Sequence, residues 1–167
     1  MPESIHDKLL QNLNSAKALY CQLVLLVGKS GTGKTAILQD AANTIGNEVI
    51  NVNRMLSARL LELTPRKRIL SMPEIFAEIV KTAPSPVLLD NLEMLFEKEL
   101  RQDPLRLLLG ISRNHLIAAA WNGAAVGGKL IYAEPGHPEY RRYDTIDPLI
   151  VNMDGNTIVD AAVTKQR

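Results

Sequence analysis

The chain has 167 residues, a formal net charge of +1, and 46% hydrophobic against 22% charged residues. That balance excludes a disordered or fibrous chain and gives no global pull toward nucleic acid, so any such contact must rest on a local patch. A lone cysteine, Cys21, excludes a cysteine framework or cysteine metal site within one chain. No apolar run approaches the ~20 residues of a spanning helix, and the opening MPESIHDKLL lacks a leader's apolar core. A single cytoplasmic domain off the membrane is the expectation.

Ile5, Leu9, Leu13 and Ala16 recur at helical spacing, which predicts an amphipathic helix over residues 3–19. The apolar run 23–27, bounded by Gly28, predicts a buried strand. Ile37, Leu38, Ala41 and Ile45 then line one face of a helix that Gly46 and Asn47 stop, and a second strand follows at 48–52. Residues 55–80 read as helix in two pieces broken near Thr64 and Pro65. Ser71 and Glu74 are spaced as a capping box for the second piece, whose buried face is Ile75, Phe76, Ile79 and Val80.

Pro84 and Pro86 lead into a third strand at 87–90, and Asp103 with Pro104 marks a helix start as cap and first position. A fourth strand spans 115–121. Residues 129–133 are strand-like after a gap too short for a parallel crossover, which predicts an antiparallel hairpin with 115–121. A short helix from Pro138 to Tyr143 and a last parallel strand at 149–153 complete the reading.

The chemistry concentrates in GKSGTGKT at residues 28–35. Gly28, Gly33, Lys34 and Thr35 match G-x-x-x-x-G-K-S/T, with Lys29, Ser30, Gly31 and Thr32 as the intervening turn, between a buried strand and a helix. Glycines let the backbone curl so that successive N–H groups face phosphate oxygens, and the helix N-terminus adds partial positive charge. Lys34 is then the side chain for the terminal phosphates, its ammonium expected to stand exposed in the absence of nucleotide, and Thr35 a magnesium ligand. ATP or GTP with Mg2+ is the implied ligand.

Magnesium on a triphosphate also wants a carboxylate at the end of a neighbouring buried strand, and Asp90 after Val87, Leu88 and Leu89 meets that need; the alternative is a helix cap. Many ATPases place a glutamate next to this aspartate to activate water, but that place holds Asn91. Glu93 is the nearest carboxylate, either a displaced catalytic base or a helix-start charge. Asn122 follows the fourth strand as a water-orienting amide or as a turn residue before Gly123. Pro65, Arg66, Lys67 and Arg68 form a basic cluster, a solvated loop or a nucleic-acid contact. Arg141 and Arg142 precede the last strand, either as a surface pair near Glu139 and Asp144 or, as a likeness to AAA+ assemblies implies, as donors to a neighbouring subunit's γ-phosphate.

The order of these elements resembles the AAA+ and related ATPase core: an α/β P-loop NTPase sandwich with five parallel strands ordered 5-1-4-3-2, here with an added hairpin strand and no room for a helical lid. Over most of its length the chain further resembles the BrxF family, the small P-loop proteins of BREX phage-defence systems. That resemblance rests on GKSGTGKT, VLLDNLEMLF at 87–96 and LIYAEPGHPEYRRY at 130–143. It implies a prokaryotic cytoplasmic protein acting with a large ATPase, a methyltransferase and a phosphatase-like partner, and homo-oligomerisation is expected from the AAA+ likeness. A nucleotide switch or ATPase subunit, a nucleotide-stabilised structural subunit and a small-molecule kinase are the three function classes. The kinase is disfavoured because its usual acidic pair after the P-loop helix is replaced by Asn51, Val52 and Asn53.

Overall fold

The computed structural model describes residues 4–154. Five parallel strands run in the order β2-β3-β4-β1-β7, with β1 at Leu23–Gly28, β2 at Val49–Asn51, β3 at Val87–Asp90, β4 at Ile117–Val126 and β7 at Leu149–Asn152. Counting parallel strands alone, this is the 5-1-4-3-2 order read from the sequence.

Strand β1 lies between β4 and β7, with Leu25 beside Ala119 on one side and Ile150 on the other. Its alternate residues feed two cores. Val24 and Leu26 pack with α1 (Ile5–Ala16) and α2 (Lys34–Ile45), whereas Leu23, Leu25 and Val27 pack with α3 (Val52–Leu60), α4 (Pro65–Lys81) and α5 (Pro104–Ile111). A strand buried on both faces reads as an unbroken apolar run, which is why this stretch shows no alternation. The result is a three-layer α/β sandwich. Among the described residues, no helix is long and apolar enough to cross a membrane.

Four local readings are corrected. The second strand stops at Asn51, because the Asn51 side chain accepts from the Arg54 N–H and opens α3 at Val52. Ser71 and Glu74 lie inside α4, whose cap is Thr64, accepting from the Lys67 N–H ahead of Pro65. A cap followed by proline at the first helical position sets the start that the capping-box spacing misassigned. The basic cluster is therefore the first turn of α4, and Arg68 Nε donates to the carbonyls of Leu60 at the end of α3 and of Leu63 in the connection that follows.

The third correction concerns the hairpin. β4 continues past the parallel sheet, and its partner β5 (Lys129–Tyr132) pairs with Gly123 to Val126 rather than with 115–121. Gly123 permits this approach: a Cβ there would stand 1.8 Å from the Ile131 carbonyl oxygen. Fourth, Pro138 to Tyr143 is not a helix. Residues Arg141–Tyr143 form β6, which pairs antiparallel with β5, so the added hairpin strand is two strands. Tyr143 also donates to Asp103 Oδ1, tying β6 to the start of α5. The expectation about a lid falls on residues outside those described.

Candidate functional site

The loop after β1 is shaped by its glycines and backed by Met153. Gly31 and Gly33 have φ of 84° and 98°, the left-handed region that other residues enter at a cost. A Cβ on Gly28 would meet Thr32 Oγ1 at 2.7 Å and Met153 Cβ at 2.8 Å. The cradle is therefore one that a larger residue would fill.

Lys34 departs from expectation: it is buried, at 5% exposure, and its Nζ donates to the Gly28 and Lys29 carbonyls at 2.8 and 2.7 Å. The curled loop turns these carbonyls toward the ammonium, which takes them as partners. Burial pushes the Lys34 pKa below the ordinary lysine range, and the carboxylates of Asp90 and Glu93 oppose that shift. Both carboxylates thus lie within electrostatic reach of the loop lysine.

Asp90, 7% exposed at the end of β3, accepts a 2.6 Å hydrogen bond from Thr35 Oγ1. Its other oxygen accepts from the Asn91 N–H at 2.9 Å, and the 3-10 turn that follows starts from Leu92 without a side-chain cap, so Asp90 does not cap it. A hydroxyl and a carboxylate side by side are the hard oxygen donors that Mg2+ takes, leaving its remaining positions to phosphate and water. The described residues contain no cluster of three or more His, Cys, Asp or Glu that holds a metal alone. The donor set therefore fits a nucleotide-bound magnesium rather than a protein cage.

Glu93 reaches this site by a kink. Asn91 has φ 56° and its carbonyl accepts from the Asn53 N–H at 2.9 Å, after which Glu93 opens a 3-10 turn, Glu93–Phe96. The carboxylate is held at both oxygens: Asn53 Nδ2 donates to Oε2 at 3.0 Å and Asn122 Nδ2 to Oε1 at 3.2 Å. Asn53 Oδ1 in turn accepts from the Met94 N–H at 2.7 Å, closing the clamp. Asn122 is a strand residue opposite Gly28 in the parallel register, not the turn residue that the Asn-Gly pair suggested. A cavity of about 950 Å³ opens here, with Lys29, Ser30, Glu93 and Asn122 among its polar lining and Ile131 and Tyr132 among its apolar lining.

Arg141 and Arg142 lie apart from this clamp, on β6. Half-buried Arg141 donates to the Gln102 carbonyl at 2.8 Å, and exposed Arg142 pairs with Asp144 at 3.3 Å. Two contributors escaped the sequence reading. In the sequence Met153 reads only as a strand end, and Asn53 only as a residue that argues against a kinase. A carboxamide just past the strand beside the aspartate strand was the available signal for Asn53.

A phosphate-shaped loop on β1, a hydroxyl–carboxylate pair across to β3 and a clamped glutamate define a P-loop nucleotide-binding protein of the ATPase type. Residues 24–115 match the model of the ATPase family associated with various cellular activities (AAA). The chain belongs to that family. No curated protein matches it. The matched span includes the loop, Asn53, Asp90 and Glu93 but ends before β4, so Asn122, the hairpin and the arginine pair lie outside it.

Proposed function

We propose that the chain binds ATP or GTP with Mg2+ at residues 28–35 and serves as a nucleotide switch or ATPase subunit, with Glu93 activating water. The observation that carries this reading is the Glu93 carboxylate held by Asn53 and Asn122 within electrostatic reach of Lys34. Lys34 exchanges its loop carbonyls for phosphate oxygens when nucleotide enters. Thr35 and Asp90 hold the metal side, and bound magnesium supplies charge neutralisation across the phosphate oxygens. Glu93 accepts a proton from the attacking water, its carboxylate oriented by the two amides. Asn122, in hydrogen-bond contact with that carboxylate, helps orient the water.

In this reading the setting is a BREX-type defence assembly in the prokaryotic cytoplasm, with other defence proteins and further copies of the chain as partners. Its support is the likeness of the 87–96 and 130–143 segments to that family. Of the two arginines, Arg142 is the better donor to a neighbouring subunit. Its exposed pairing with Asp144 is worth at most about 1 kcal/mol and a triphosphate would outcompete it. An Arg142→Ala subunit that binds ATP should regain turnover when mixed with Lys34→Ala subunits.

A nucleotide-stabilised structural subunit is the second reading, favoured by Asn91 standing where related ATPases carry glutamate. Magnesium-dependent ATP turnover, measured alone and with defence partners, separates the two. Hydrolysis in either condition supports the ATPase, whereas tight binding with no turnover in both supports the structural subunit.

A further inference from the structure

Glu93 and Phe96 begin and end one 3-10 turn, in which residues three apart eclipse one another. The Phe96 ring stacks face to face on Tyr132 of β5, centroids 3.4 Å apart and planes 5° from parallel. Trp121 closes edge-on against both rings, at 5.2 Å from Phe96 and 5.7 Å from Tyr132. Trp121 immediately precedes Asn122, and its Nε1 donates to the Ile131 carbonyl next to Tyr132. Tyr132 also lines the cavity that Glu93 lines. The amides hold the carboxylate head, and the aromatic stack holds the other end of the same short turn.

We infer that Tyr132 is a positioning residue for Glu93, acting through Phe96 so that the β4–β5 hairpin fixes where the glutamate stands. A 3-10 turn has poor hydrogen-bond geometry of its own, and this one follows a non-glycine residue with positive φ. An outside anchor is therefore needed, and the ring stack is a rigid one because aromatic side chains have few rotamers. The inference rests on Glu93 being the water-activating residue, and the test separates the two claims.

Tyr132→Leu and Tyr132→Phe should be made in the wild type and in Glu93→Gln. Tyr132→Leu should lower kcat about tenfold with KM for ATP within about twofold, and Tyr132→Phe, which keeps the ring, should restore it. In the Glu93→Gln background Tyr132→Leu should cost nothing further, since both act on one step. Independently of turnover, hydrogen exchange at the Met94 N–H, which bonds to Asn53, should speed about tenfold in Tyr132→Leu, with the Leu25 N–H in β1 unchanged. The inference is overturned if Met94 exchange is unaltered, or if the Leu variant loses the same factor in the Glu93→Gln background. Undiminished turnover in Glu93→Gln alone would refute the base assignment, and Met94 exchange would still decide whether Tyr132 places the turn.

Discussion

The loop from β1 into α2 and the hairpin region beyond Trp121 flank the same cavity but are built on opposite principles. In the first, chemistry follows from neighbours in sequence: glycines shape the turn, the helix N-terminus faces it, and Lys34 bonds back to carbonyls five and six residues earlier. In the second, the contacts that fix Glu93, its turn and Arg141 span long intervals. Asn122 meets Glu93, Tyr132 meets Phe96, and Arg141 meets Gln102. Local motifs therefore announce nucleotide binding, whereas the proposed control of hydrolysis rests on tertiary placement.

The strongest way to break this contrast is Lys34→Ala. Nucleotide affinity should fall by about a hundredfold or more as the charge-assisted phosphate contact is lost, with the circular dichroism spectrum unchanged. Titration of a fluorescent ATP analogue checks it. Retained affinity would remove the loop from the account.

On the hairpin side, Gly123→Ala should lower stability by about 3 kcal/mol, because the Cβ would overlap the Ile131 carbonyl unless β5 moves. Thermal unfolding reads this directly. A Tm within a degree or two of wild type would mean that β5 is not locked where described.

Asp90→Ala should weaken magnesium-dependent nucleotide binding about tenfold more than magnesium-free binding, since with its partner Thr35 it is the proposed metal ligand. Equal loss with and without the metal would point to a folding role. The smallest contrast lies in the basic cluster. Arg68→Ala should cost about 1 kcal/mol through the freed Leu60 and Leu63 carbonyls, whereas Arg66→Ala and Lys67→Ala should leave stability and nucleotide affinity unchanged in denaturant and binding titrations. Should DNA binding be measured, neutralising Arg66 and Lys67 ought to flatten its salt dependence.

What could be read in advance follows the same division. Unbroken apolar runs mark β1 and β3, where burial on both faces leaves a local signature, whereas the order of the five parallel strands comes from the likeness to the AAA+ core. Asp90 was legible as a polar residue ending a buried strand. The route by which Glu93 returns to the site was not: it depends on Asn91 adopting positive φ and on Asn53 clamping the turn from the first turn of α3. Residues Arg141–Tyr143 lacked a helix-or-strand signal of their own, and pairing with β5 decided them. A motif names the phosphate as the partner of Lys34 and so leaves its ammonium exposed without nucleotide, whereas the curled loop offers it carbonyl partners.

The central claim is that a glutamate displaced from its usual place beside the aspartate performs the same task. Glu93→Gln keeps the size and removes the base while retaining one of the two amide contacts, the other needing Asn122 to flip its amide, and single-turnover hydrolysis measured beside ATP binding isolates that role. The account predicts turnover reduced by about a hundredfold or more with the Kd for ATP held within about twofold. Unchanged turnover, or a loss of binding equal to the loss of turnover, would contradict it.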